Sequence, residues 1–181
     1  MRIISGIYKG RRLHPPNNLP LRPTTDFAKE ALFNVLNNLV EYESLQVLDL
    51  FAGTGSISFE FISRGCKSVT SVEKEPRCLS FIHRTGLELK IVNLYPTKTN
   101  ALTFIRQSFD NWDLVFADPP YDLRELADLP ELVLGGNVLA PGGWFILEHP
   151  KKYNFSETPG FDQHRKYGEV NFSFFRKSGE K

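Results

Sequence analysis

Apolar positions switch between helical and strand periods along this chain, regularly enough to be read as elements. Phe27, Ala28, Ala31, Leu32, Val35, Leu36 and Leu39 recur at helical spacing, so a helix with Asp26 as N-cap is expected. "LQVLDLF" (45–51) predicts a buried strand, and "SISFEFISRG" (56–65) a helix closed by Gly65. "SVTSVE" (68–73) is a strand and "EPRCLSFIHRTGLEL" (75–89) a helix. "KIVNLYPTKTN" (90–100) hides a third strand, weakly marked because of Pro96. "ALTFIRQSF" (101–109) predicts a helix and "WDLVFA" (112–117) a strand. "LRELADLPELVLGGNVL" (123–139) is helical but interrupted by Pro130, and "GGWFILEH" (142–149) is a strand.

Alternation of this kind implies a mostly parallel sheet with helices on both faces. The two ends differ from the middle. "RIISGIYKGRRL" (2–13), broken by Gly6 and Gly10, predicts a short hairpin, followed by a Pro- and Asn-rich loop over 14–25. "FDQHRKYGEVNFSFFRK" (161–177) places two β-like runs around Gly168, an antiparallel hairpin for the sheet edge.

The length of 181 residues favours one compact unit, divided here into a basic arm (1–25) and a main body (26–181). An apolar fraction of 41% and a charged fraction of 24% fit a globular protein. No apolar run reaches membrane-spanning length, and the N-terminal stretch is too short for a signal peptide. Cys66 and Cys78 form no CxxC pair, which suits a reducing cytoplasm. His14, His83, His149 and His164 are scattered and are read as structural or surface groups, so no metal is expected. The net charge of +1 hides an asymmetry: residues 1–25 carry +5, residues 26–150 carry −7, and residues 151–181 carry +3. Positive ends point to a polyanion, with a solvated basic arm as the plain alternative.

Two stretches carry chemistry. "DLFAGTGSIS" (49–58) ends a strand and opens a helix. Gly53 and Gly55 let the backbone approach a ligand, and Glu73 ends the next strand, where an acid can accept from ribose hydroxyls. Ser58 stands at the third position of the dinucleotide fingerprint, so that match is incomplete. Asp49 disfavours a pyrophosphate and welcomes an ammonium. A ligand with both adenosine and an amino acid is S-adenosylmethionine. "DPPYD" (118–122) follows the strand ending at Ala117. An exocyclic amine on a purine is a weak nucleophile because its lone pair is delocalised, and its base must leave the stack to react. Asp118 and the Pro119 carbonyl can accept the two amine hydrogens, Pro119 and Pro120 stiffen the corner, and Tyr121 can stack on the base. Asp122 is expected to cap the next helix.

"MRIISGIYKGRRL", "RPTTDFAKEALFNVL", "DLFAGTG", "DPPY" and "YGEVNFSFF" together resemble the RsmD-like family of 16S ribosomal RNA guanine-N2 methyltransferases. The resemblance covers nearly the whole chain. It implies a Rossmann-like class I methyltransferase fold: an α/β, mostly parallel seven-stranded sheet with a C-terminal antiparallel hairpin. It also implies cofactor contacts at Asp49, Phe51, Ala52, Gly53, Thr54 and Gly55, with Glu73 on the ribose. Asn100 and Ala101 stand where the family places an acid for the adenine amine; Asn100 can still accept through its amide oxygen, so a weakened or altered contact is expected rather than its loss. S-Adenosylhomocysteine would be the product. The partner would be 16S ribosomal RNA, within a small-subunit particle, met by a monomer through Arg2, Lys9, Arg11, Arg12 and Arg22. Lys151 and Lys152 would extend that surface. Phe27 and Lys29 replace arginines common in the family, which would remove positive charge near the RNA. Competing expectations are adenine-N6 or protein-glutamine methylation, and a catalytically silent RNA-binding assembly factor.

Overall fold

In the computed structural model, residues 1–17, 19 and 25–179 are described. Seven strands form one sheet in the order β3-β2-β1-β4-β5-β7-β6. They are β1 (Gln46–Leu50), β2 (Ser68–Glu73), β3 (Leu94–Lys98), β4 (Trp112–Ala117), β5 (Leu139–His149), β6 (Phe161–Tyr167) and β7 (Val170–Arg176). The first five pair in parallel, and β5–β7 and β6–β7 pair antiparallel. The helices are α1 (Asp26–Leu36), α2 (Ser56–Ser63), α3 (Pro76–Glu88), α4 (Ala101–Gln107) and α5 (Leu129–Gly135). The expected fold class stands. Pro96 is tolerated because β3 is an edge strand.

Strand alternation sends side chains to two cores. Val47, Val69, Leu114, Phe116, Ile146, Phe172 and Phe174 face α1 and α2. Leu48, Leu50, Val72, Val115, Phe145, Leu147 and Phe175 face α4 and α5. Fourteen buried strand residues shared between two faces explain why the central strands read as continuous apolar runs.

Several local expectations are corrected. The N-cap of α1 is Thr25, whose hydroxyl accepts from Ala28 N–H at 3.1 Å, with Asp26 as the first helical residue. The buried face of α1 is Ala28, Lys29, Leu32, Phe33 and Leu36, while Phe27 is 66% exposed. Phe33 replaces Phe27 because the helix packs a ring against Phe61, centroids 4.8 Å apart. Asp122 caps nothing: the short 3₁₀ turn Arg124–Asp128 has Leu123 at its N-cap, without a side-chain cap. Pro130 begins α5 rather than interrupting a helix. The N-terminal hairpin has a single bridge pair, Arg2 with Arg12.

That hairpin is welded to α2. Ile4 and Ser5 donate their N–H groups to the buried Glu60 carboxylate at 2.8 and 3.1 Å. Ile7 N–H donates to the Ser63 carbonyl at 2.8 Å, and Tyr8 N–H to the Ser63 hydroxyl at 3.0 Å. Ile3 and Leu13 bury themselves with Phe59, Phe81 and Ile82. Gly6 makes this approach possible: at φ +82°, a Cβ there would stand 1.7 Å from the Ser63 carbonyl oxygen.

Candidate functional site

The chain moves outward from β1 to β2 and β3 on one side and to β4 and β5 on the other. Ligands in open α/β sheets bind where the strand order reverses, beyond the carboxyl ends. Leu50 of β1 stands beside Ala117 of β4, so "FAGTG" and "DPPY" leave the sheet from neighbouring strand ends. Both line one cleft of about 860 Å³. Asp49, Phe51, Ala52, Gly53, Thr54, Glu73, Asn100, Ala101, Asp118, Pro119, Pro120 and Tyr121 all face it. Gly55 does not. It sits at the N-cap of α2 with φ +77°, and a Cβ there would meet Phe59 and Ile82 at 3.1 and 3.0 Å. Its role is packing of the turn.

The turn is held from below. Glu73 Oε2 accepts from Gly53 N–H at 2.7 Å, and Oε1 accepts from Lys74 and Glu75 N–H at 2.8 Å each. One carboxylate thus fixes the glycine turn and the start of α3 while still lining the cleft. A carboxylate has about four acceptor sites, so Glu73 keeps one for a ligand beside its three backbone donors. Phe51 adopts φ +60°, a conformation that costs an L residue roughly 1–2 kcal/mol. The strain brings its ring and backbone to the cleft, and sequence periodicity carries no signal of it.

Asp49 is 1% exposed and points toward α2. Its Oδ2 accepts from the Ser58 hydroxyl at 2.5 Å, and Ser58 meets the Ser71 hydroxyl at 2.6 Å. Register explains the cluster, since Asp49 and Ser71 are paired positions on one face of β1 and β2. Burial pushes the Asp49 carboxyl up to about 7, against the Ser58 hydrogen bonds that lower it and with the Glu73 charge adding to the rise. Ser58, the position that spoils the dinucleotide fingerprint, is a donor to Asp49. Sequence reading missed that role. Ser58 lies three residues after Gly55, where the first turn of a helix faces back to the strand.

Asn100 is accounted for locally. Its Oδ1 accepts from Leu102 and Thr103 N–H at 2.9 and 3.2 Å, capping α4. Both lone-pair positions are used, so the expected acceptance from an adenine amine is corrected. What Asn100 keeps for a ligand is its amide N–H₂, beside the N–H of Ala101 at the helix start.

At the DPPY corner, Pro119 is buried and Asp118 and Tyr121 are half-buried. The Pro120 carbonyl accepts from Leu123 N–H at 2.9 Å, closing the turn. Among the described residues, the Pro119 carbonyl takes no such backbone bond. The Tyr121 hydroxyl donates to Glu148 Oε1 at 3.3 Å. The wall formed by Met1, Pro15, Pro16, Leu19 and Asp26 was not foreseen as part of the site, nor was Glu148 as the partner of Tyr121.

The basic groups divide. Lys9, Arg11 and Arg12 are exposed on the hairpin. Arg2 approaches Asp26 at 3.5 Å, an exposed and therefore weak pair. Arg22 lies outside the described residues. Lys29 is corrected outright: it is 1% exposed, and its ammonium donates to the Arg2 carbonyl at 2.6 Å and to Ser56 at 3.1 Å. It also stands 4.0 Å from Glu60, which Arg64 approaches at 2.9 Å. Burial lowers the Lys29 pKa, with the Glu60 charge opposing. Its positive charge is spent inside, tying the hairpin to α1 and α2. The cleft's donor set fits a nucleoside bearing an amino acid: a turn with φ +56° at Gly53, two carboxylates, and apolar walls from Phe51, Val72 and Leu102. Among the described residues no cluster could hold a metal ion, and no helix is long and apolar enough to cross a membrane.

Residues 1–176 match the family model described as "Conserved hypothetical protein 95". A relative named ribosomal RNA small subunit methyltransferase D, from Buchnera aphidicola, is 30% identical over 159 residues, covering 88% of this chain and 81% of its own. The solved structure of Escherichia coli yhhF superimposes with TM-score 0.85 at 27% identity, covering 99% of both chains. A Thermus thermophilus 16S rRNA N2 methyltransferase (RsmC), solved with AdoMet and guanosine, shares the fold: TM-score 0.67 and 22% identity, over 85% of this chain and 44% of that one.

Proposed function

This chain belongs to the Conserved hypothetical protein 95 family, and on that premise we propose that it is an S-adenosylmethionine-dependent methyltransferase acting on the N2 amine of a guanosine in small-subunit ribosomal RNA. One observation carries the proposal. A glycine turn with two acids and an Asp-Pro-Pro-Tyr corner leave adjacent strand ends into one cleft. The relatives named ribosomal RNA small subunit methyltransferase D support the choice of substrate.

When bound, S-adenosylmethionine supplies an electrophilic methyl group on a sulfonium. Of the cleft's lining, Glu73 would hold a ribose hydroxyl, Phe51 and Leu102 would offer apolar surface to the adenine, and Asp49 would hold the amino-acid ammonium. Asp118 and the Pro119 carbonyl accept the two amine hydrogens of the guanine and turn its lone pair toward the methyl group. The rigid prolines hold both acceptors in place, so rate comes from orientation. Tyr121 stacks on the extruded base. Lys9, Arg11 and Arg12 bind phosphates and set register without reading sequence, and Arg2 adds to that surface when it leaves Asp26.

The test is a comparison of 16S ribosomal RNA nucleosides from cells with and without the protein, by mass spectrometry. Loss of one N2-methylguanosine is expected, restored by wild type and not by Asp118→Ala. An unchanged N2-methylguanosine content would sink the proposal.

A further inference from the structure

Glu148 lies next to the end of β5 and is 2% exposed. It continues the face of Trp144 and Ile146, which packs on Phe116, Phe172 and Phe174. Alternation alone calls for an apolar residue there, and a carboxylate costs desolvation that Leu or Ile would avoid. The side chain is nevertheless placed with purpose, since Tyr121 donates its phenolic hydrogen to Glu148 Oε1 at 3.3 Å. Register adds a second relation. Ala117 of β4 stands beside Leu147 of β5, so Asp118 and Glu148 follow at neighbouring strand ends on one face of the sheet.

Resting on the methyltransferase reading above, we propose that Glu148 is a positioning residue for Tyr121, fixing the ring on which the extruded base stacks. The backbone of Tyr121 is set by the proline corner and its hydroxyl by Glu148. Held at both ends, the ring keeps one orientation beside the Asp118 acceptor. Phenylalanine at this place would offer the same stacking area without the tether, so area is not what the hydroxyl adds. Glu148 touches neither substrate nor cofactor in this scheme and acts through Tyr121.

Four variants test this on small-subunit particles that lack the modification: Tyr121→Phe, Glu148→Leu, Glu148→Gln and the double variant Tyr121→Phe/Glu148→Leu. Tyr121→Phe and Glu148→Leu are each expected to lower kcat about tenfold by loosening the base. Glu148→Gln keeps an acceptor oxygen and stays within about threefold of wild type. The double variant is no slower than the slower single variant, because both break one tether. Cofactor Kd by calorimetry is unchanged throughout. A wild-type kcat in Tyr121→Phe overturns the tether, as does a double variant whose loss is the product of the two. Tyr121→Phe decides even if Glu148→Leu fails to fold, because it removes one oxygen from a half-buried ring. A wild-type enzyme that transfers no methyl group overturns the methyltransferase reading itself, which distinguishes the two failures.

Discussion

Ser58 donates its hydroxyl to Asp49 Oδ2 across 2.5 Å, joining the first turn of α2 to the strand that precedes the glycine turn. The pair fixes a buried acid in the lining of the cleft in which an ammonium would bind. Ser58→Ala leaves Asp49 short of a donor and favours its protonated form. Cofactor affinity is expected to fall about fivefold to tenfold, the worth of one charge-assisted hydrogen bond. Calorimetric titration measures this, and unchanged affinity would show that the Ser58 hydrogen bond to Asp49 contributes nothing to binding.

Asp49 also sets a pH dependence. Its folded-state pKa of about 7 lies above the ordinary 3.8. Between those values the folded chain keeps a proton that the unfolded chain releases. The associated stability is fully present below the lower value and is lost as pH rises through about 7. The slope is at most about 1.4 kcal/mol per pH unit. Denaturant titrations of wild type and Asp49→Asn, compared across pH 4–8 (about four units), isolate it from His149, whose pKa burial lowers. A pH-independent difference between the two proteins would refute the assignment.

Lys29 separates a structural cation from an RNA-binding one. Lys29→Met removes an ammonium that bridges the Arg2 carbonyl, Ser56 and Glu60. A loss of about 2–4 kcal/mol in unfolding free energy is expected, since Glu60 stays buried beside Arg64. The slope of log affinity for RNA against log salt is expected to stay at the wild-type value. A slope lowered by about one would return Lys29 to the RNA surface.

Arg11→Ala and Arg12→Ala reverse that pattern. Each is expected to reduce the salt slope by about one and to leave the melting temperature unchanged, because both side chains are exposed. Filter binding at several salt concentrations checks this.

Gly6→Ala tests the docking of the hairpin. The added Cβ would collide with the Ser63 carbonyl oxygen, so the two hydrogen bonds from Ile7 and Tyr8 to Ser63 must open. Destabilisation of more than about 1 kcal/mol is expected, together with weaker cofactor binding, because Met1 and Pro15 form one wall of the cleft. Denaturant unfolding and calorimetry measure the two effects.

The sequence by itself determined the sheet and the two motifs. "WDLVFA" and "SVTSVE" have the boundaries of β4 and β2, because short segments rich in apolar or β-branched residues and ended by an acid admit few other structures. The tertiary structure decided what individual polar residues do. Asn100 and Lys29 are of types that serve ligands, yet one caps a helix and the other ties the hairpin to α1 and α2. Glu148 looked like the end of a strand, yet it holds Tyr121 from 27 residues away. Periodicity reports which face of an element is buried, since burial repeats with the backbone. Partner choice by a single polar side chain does not repeat, and it depends on which distant elements the fold brings within about 3 Å.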